Sequence, residues 1–210
     1  MRLRPCGDRA VLVELADADE RRRLEAALRA TPLPGVLEHV PAARTVLVTV
    51  NDPTRLAGVV AALRSLTLPL TGADVATESV PDTDVLEIPV TYDGDDLPEV
   101  AAHLGCDVRE VVTRHTGQVW LVEFAGFAPG FGYLLGDRGG LEVPRRSTPR
   151  TRIPAGAVGL AGPWSGVYPR ASPGGWQLIG RTDLEMWDTR RDPPAVLEPG
   201  RRVRFLEAGL

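Results

Sequence analysis

From residue 118 onward the chain runs as short apolar stretches, "VWLVEF", "GLEVP", "AVGLAG", "WQLIGRT" and "RRVRFLEA", alternating with clusters of glycine and proline. Glycine and proline at successive junctions favour tight reversals over long elements. Many short strands joined by such turns hide their apolar faces best when the sheet curls onto itself. The pattern therefore predicts a closed or strongly curved β structure, and a small barrel is the natural form.

The residues before this half read differently. A strand, "VLEIPVTYD", leads into two short helical patterns, "DLPEVAAHLG" and "DVREVVTRHTG". In the second, Val108, Val111, Val112 and His115 recur at i, i+3, i+4 and i+7, which puts His115 on the apolar face, with Gly117 just beyond to stop the helix. Earlier still, the order is strand "AVLVEL", helix "DADERRRLEAALRA", strand "RTVLVTV" and helix "NDPTRLAGVVAALRSL". Asn51 or Asp52 suits the cap of the last helix and Pro53 its first turn, while Leu56, Val59, Val60 and Leu63 recur at helical spacing. Residues 67 to 84 lose that periodicity and gather Pro, Thr and acidic groups, as a connection between modules does. The boundary is placed near residue 80: a small α+β domain over 1–80 and a mainly β barrel domain over 81–210.

Charge and composition exclude whole classes of chemistry. A formal charge of −4 and a pI near 5.5 give no overall basic field, so no nucleic-acid partner is expected. All 24 basic residues are arginine. Without lysine there is no Walker A loop, Schiff-base amine, Ser-Lys dyad or biotin-carrying side chain. Asp8, Arg9 and Glu14 interrupt the apolar N-terminal stretch, so no signal-peptide core forms, and no run approaches the roughly 20 apolar residues of a membrane span. No membrane partner is expected. Cys6 and Cys106 lack a paired-ligand spacing and read as reduced thiols of a cytoplasmic protein. His39, His103 and His115 are too far apart for a local metal motif, and no metal site is expected. Nothing matches G-x-S-x-G, and Ser165 in "PWSGVYP" reads as a turn residue.

Three segments exceed what strand connections require. "AGFAPGFGYL" interleaves Gly126, Gly130, Gly132 and Pro129 with Phe127, Phe131 and Tyr133, and reads as a shaped loop. "RGGLEVPRRSTPRTRIPAG" carries Arg138, Arg145, Arg146, Arg150 and Arg152 against Glu142 alone. Guanidinium groups grip carboxylate or phosphate in a bidentate manner, so the run is either an anion site or a solvated basic loop. "ASPGGWQLIGRTD" sets Gly174, Gly175 and Gly180 around Trp176, Gln177 and Arg181. Together the three favour a site.

With "GFAPGFGYL", "PRRSTPRTRIPAGAVGLAG", "GVYP" and "SPGGWQLIGRT" in that order, the chain resembles the allophanate hydrolase subunit 1 family. That family includes the B-type subunit of 5-oxoprolinase and the kinase inhibitor KipI, and corresponds to subdomains C and D of the carboxyltransferase region of urea carboxylase. The resemblance implies an α+β N-terminal domain followed by a cyclophilin-like barrel. It also implies work within a complex, beside proteins like the C-type subunit (allophanate hydrolase subunit 2) and the A-type subunit of 5-oxoprolinase. The implied reaction opens the 5-oxoproline lactam to glutamate, with ATP and Mg bound by the assembled complex. Alternatives are a component of an allophanate- or urea-processing carboxyltransferase, and a KipI-like inhibitor of a histidine kinase.

By the same resemblance His115 becomes a candidate acid or base, with Arg150 and Arg181 stabilising the developing anion. Phe127, Pro129, Gly130, Phe131, Arg145, Arg152 and Gln177 are candidates to hold substrate. The chain departs from its relatives at Gly132, where many have proline, at Ala157, where serine is usual, and at "PWSG", where a Gln-Thr pair commonly precedes glycine. Arg181 stands where some relatives carry lysine.

Overall fold

The computed structural model describes residues 1–66 and 85–209. The chain divides into two compact units, Met1–Pro81 and Asp82–Leu210. The connection expected over 67–84, with its boundary near residue 80, lies outside the described residues.

In the first unit, β1 (Arg2–Cys6), β2 (Ala10–Glu14), β3 (Val36–Pro41) and β4 (Thr45–Val50) form an antiparallel sheet in the order β1-β2-β4-β3. Alternate residues of the two central strands point to one face, so Val11, Val13, Val46, Val48 and Val50 meet Leu24 and Leu28 of α1 (Ala18–Ala30) and Val59 and Leu63 of α2 (Leu56–Ser65) in one core. Each such side chain contributes about 1.5–3 kcal/mol on full burial. Asp17 caps α1 by accepting from Glu20 N at 2.7 Å, and the Glu20 carboxylate reaches back to Ala16 N at 2.7 Å. Asp52 accepts from Thr54 N at 2.9 Å, starting a short 3-10 turn over Pro53–Arg55 that leads into α2.

The order strand, helix, strand, helix misses two strands. β1, with its arginines and Pro5, and β3, with Pro41, are edge strands. An edge is paired on one side and wetted on the other, so it needs no apolar alternation, and charges and prolines there discourage further pairing.

The second unit is a sheet of seven strands in the order β12-β9-β10-β7-β6-β13-β5. These are β5 (Leu86–Val90), β6 (Trp120–Ala125), β7 (Gly132–Gly136), β9 (Ala157–Ala161), β10 (Trp164–Val167), β12 (Gln177–Arg181) and β13 (Arg202–Glu207). Only β13 and β5 run parallel. The two ends of the row meet where Thr91, just after β5, exchanges backbone hydrogen bonds with Arg181 at 2.8 and 2.9 Å. Glycine permits that approach: a Cβ on Gly180 would lie 2.5 Å from Thr91 O. The fold is therefore mixed α and β with a barrel-like sheet, as the punctuated apolar runs predict.

Helix α3 (Leu97–Leu104) packs on β12 and α4 (Val108–Thr116) on β13. Gly105 ends α3 in the left-handed region (φ 66°), and Asp107 caps α4 by accepting from Glu110 N at 2.7 Å. A separate two-stranded ribbon pairs β8 (Arg150–Ile153) with β11 (Ser172–Gly174). Two local readings change. Gly132 and Tyr133 already belong to β7, so the shaped loop is only residues 126–131. Ser165 is a fully buried residue of β10, not of a turn, because the glycine and aromatics beside it fit a crowded strand.

Candidate functional site

Strand alternation separates two faces of the barrel. Val158 and Leu160 of β9, Leu134 of β7 and Ile179 of β12 pack in the interior cluster. Their neighbours Ala157, Ala161, Tyr133 and Leu178 join Phe131, Ile153, Tyr168 and Trp176 in a second cluster. A period of two puts these on the opposite, outer face. Small residues make room there: a Cβ on Gly166 would sit 2.9 Å from Phe131 Cζ, and one on Gly159 would sit 3.2 Å from Trp176 Cβ.

The loop from 126 to 131 folds over this face. Ala128 N donates to Gly126 O at 2.7 Å, Phe131 N to Ala128 O at 3.0 Å, and Gly126 N to Phe131 O at 3.2 Å. Gly130 has φ 83°, and a Cβ there would lie 2.8 Å from Trp187 Cβ. Phe127 is the one described non-glycine residue at positive φ, 66°. Such a conformation costs of order 1–3 kcal/mol for a bulky residue. The residue is nevertheless 56% exposed. It stands edge-on to Phe131 at 5.3 Å and to Tyr168 at 6.0 Å. Beneath it, Phe131 is buried against Tyr133, Tyr168 and Trp176 at 5.1 to 5.4 Å. Pro129 is exposed beside it.

The arginine segment is held against the same side. Gln177, 6% exposed, donates from Nε2 to Pro144 O at 3.3 Å, and Arg146 N donates to Gly175 O at 2.8 Å. Asp96 is 2% exposed and occupies the N-cap position of α3, yet makes no capping bond. Its Oδ2 accepts from Leu178 N at 2.7 Å and from Arg150 Nη1 at 2.8 Å, while Oδ1 accepts from Arg150 Nη2 at 2.8 Å and from Arg146 Nη1. Burial pushes the Asp96 carboxyl up, but the Arg150 hydrogen bond, the Leu178 N–H and the two guanidinium charges outweigh it and hold it below the usual range. Its partner Arg150 is correspondingly raised by the Asp96 hydrogen bond.

Arg145 and Arg152 are exposed and have no ion-pair partner among the described residues. Arg145 lies near enough to the aromatic face to act on two phenols. Burial pushes Tyr168 up to about 12, opposed by the Trp176 N–H and by the Arg145 charge, and Tyr133 is raised by burial against the same charge. Arg181 is elsewhere: at the far end of β12, about 13 Å from Gln177 at strand rise, its Nε donates to Asp93 Oδ2 at 2.9 Å.

His115 lies on the inner face, fully buried. Tyr92 Oη is 2.7 Å from Nδ1 and Ser165 Oγ is 2.9 Å from Nε2. The ring stacks on Phe205 at 4.3 Å, and Trp120 Nε1 donates to the His115 carbonyl at 3.0 Å. Burial lowers its pKa to about 3, so the imidazole is neutral at physiological pH. A neutral imidazole offers one donor and one acceptor, which matches two hydroxyl partners. The distances suit a nucleophile, base and orienting group, but Ser165 is as fully buried as His115. In this conformation neither has a face for a ligand.

The fold thus gathers Phe127, Pro129, Gly130, Phe131 and Arg145 around one aromatic face, ties Arg150 to Asp96 behind it, and carries Arg152 on the adjoining ribbon, while Gln177, opposite the interior Leu160 in the ladder, lies on the inner side of β12. It leaves His115 behind the sheet and Arg181 at the opposite strand end. Sequence reasoning missed Asp96, which reads locally as an ordinary cap, Tyr92, which stands in no motif, and Tyr168, which lies in the "GVYP" motif without a role of its own there. A cleft of about 360 Å³ between the end of α4 and Arg138–Gly140 takes Arg138 from the arginine segment but none of the residues assigned a catalytic or substrate role from sequence. Among the described residues no cluster of three or more His, Cys, Asp or Glu is placed to hold a metal ion, and no helix is long and apolar enough to cross a membrane.

Comparison with known proteins follows the same outline. Residues 1–197 match the family described as carboxyltransferase domain, subdomain C and D. The B-type subunit of 5-oxoprolinase from Escherichia coli O157:H7 is 40% identical over 207 residues, covering 95% of this chain and 93% of the relative. The solved structure of TTHA0988 aligns at a TM-score of 0.74 with 37% identity; the match covers 96% of this chain but 40% of that one. The Kluyveromyces lactis urea amidolyase aligns at a TM-score of 0.74 with 20% identity, over 98% of this chain and 15% of its own, which is a likeness of fold.

Proposed function

The chain belongs to the carboxyltransferase domain family, subdomains C and D, and from that premise we propose that it serves as the B-type subunit of an ATP-dependent 5-oxoprolinase. The observation that carries this reading is identity of 40% along nearly the whole of both chains to a 5-oxoprolinase subunit of that type. The site supports it in kind. An anionic lactam acid needs a cation for its carboxylate and an apolar wall for its ring, and Arg145 beside the Phe127 platform offers both. Arg152 lies free to meet the charge that grows on the lactam oxygen as it is activated, and ATP with Mg supplies that activation in the assembled complex.

In this reading Phe131, Gln177, Arg150 and His115 act from behind the surface. The acid or base role implied for His115 requires a ring that gains a proton near neutral pH, which its burial opposes. Arg181 faces a different edge, where contact with a partner chain is its more natural use. The site is open on one side, so partners of the A and C types complete it and the isolated chain turns over little.

Reconstitution tests the proposal. The chain mixed with A-type and C-type partners should hydrolyse ATP in a 5-oxoproline-dependent manner, and omission of this chain should abolish it. A complex that ignores 5-oxoproline but responds to urea or allophanate would instead establish the second reading, a urea-processing component, which the family and the fold likeness to urea amidolyase also fit.

A further inference from the structure

We infer that Asp96 and Gln177 are paired positioning residues whose buried side chains fix the segment Pro144–Arg150 so that the guanidinium of Arg145 is presented, unpaired, to an oxyanion. The inference rests on the reading of Arg145 as an anion contact in the proposed function.

Three features carry it. First, Asp96 stands where an aspartate ordinarily caps a helix, and forgoes the cap to accept four hydrogen bonds from Arg146, Arg150 and Leu178. Four acceptances use both oxygens fully, so the carboxylate is committed to this junction. Secondly, the residues on either side of Arg145 are tethered independently: Pro144 through its carbonyl to Gln177, Arg146 through its N–H to Gly175 and through its side chain to Asp96. Thirdly, these tethers end on the stretch Gly175–Leu178 or on Asp96, which itself bonds Leu178 N, and Arg150 pairs with Gly174 just before that stretch. The arginine segment is therefore pinned to the start of β12, next to Trp176 of the aromatic face. Arg146 and Arg150 are occupied in holding it, and Arg145 is not. A basic loop kept only for solubility has no use for a buried carboxylate at this cost in desolvation.

Electrostatics alone makes the opposite prediction, which gives the test its sign. Removing a negative charge from among arginines should strengthen anion binding if only charge matters. If Asp96 acts by position, its removal should weaken it. Inorganic phosphate is titrated calorimetrically into the full chain and into Arg145→Gln, Asp96→Asn and Gln177→Leu, with folding of each checked by near-UV circular dichroism. Arg145→Gln should weaken phosphate about tenfold or more, the loss of one charged hydrogen-bonding contact. Asp96→Asn and Gln177→Leu should each weaken it several-fold per folded molecule. Combining either with Arg145→Gln should add little, since positioning has value only while Arg145 is present.

Tighter or unchanged binding in Asp96→Asn overturns the inference, as do fully additive losses or a wild-type chain that ignores phosphate. Should Asp96→Asn fail to fold, Gln177→Leu decides alone, because it removes a tether without changing charge. Turnover of the reconstituted complex with 5-oxoproline is read separately, so failure of the proposed function and failure of this inference give different results.

Discussion

Replacing His115 with glutamine should change how the stability of the second unit depends on pH more than it changes stability at pH 7.5. The imidazole is fully buried with its pKa lowered to about 3, against about 6.5 for an exposed histidine. Between those values the unfolded chain binds a proton that the folded chain refuses. Stability from this group is therefore complete above about pH 6.5 and declines as pH falls towards 3. One proton of difference is worth about 1.4 kcal/mol per pH unit, which gives a loss of about 1.4 kcal/mol by pH 5.5 and about 2.7 kcal/mol by pH 4.5. Glutamine keeps polar contacts towards Tyr92 and Ser165 but cannot titrate, so His115→Gln lacks this acid limb. It also loses the stacking on Phe205, and should be less stable by about 1–3 kcal/mol at pH 7.5. All four tryptophans, Trp120, Trp164, Trp176 and Trp187, lie in the second unit, so urea unfolding followed by tryptophan fluorescence reports on it alone. Carboxylates common to both proteins cancel in the difference. The gap between the two curves should be constant above pH 7.5 and shrink by about 2.7 kcal/mol at pH 4.5. A gap independent of pH would refute the burial argument, and a wild-type rate limb near pH 6.5 that vanishes in folded His115→Gln complex would restore an acid or base role.

Gly180→Ala should destabilise the second unit by about 2 kcal/mol or more in the same assay, because its methyl group must displace the Thr91 carbonyl that closes the barrel. Phe127→Gly should relieve the left-handed strain and keep the melting temperature within a few degrees, yet lower 5-oxoproline turnover of the complex; unchanged turnover would remove the aromatic platform from the site. Arg152→Ala should cost about 10²-fold in rate with little change in stability. Arg150→Ala, in contrast, should cost stability as well, since it strips a bidentate partner from the buried Asp96 carboxylate.

Much of the architecture is local and therefore legible in the residues themselves. Asp17, Asp52 and Asp107 each make the capping contact that their position before an apolar repeat announces. The i, i+3, i+4, i+7 row buries Val111, Val112 and His115 together but leaves Val108, in the first turn, exposed, and the punctuated apolar runs do become short strands of a curved sheet. Capping and periodicity act over a few residues, so spacing alone encodes them. What tertiary structure decided is selection among equals. Nothing local tells Arg145, Arg146, Arg150 and Arg152 apart, but Asp96 lies 54 residues before Arg150 and meets it only once α3 has packed on β12. That closure turns two of the arginines into structure and leaves two free. Likewise Ser165 stands 50 residues from His115, and Ser165 and Gly166 take opposite faces of one strand. Sheet register placed the hydroxyl against a buried imidazole and gave the glycine's space to Phe131. Register depends on long-range pairing and on how the barrel closes, and no window of sequence contains both partners.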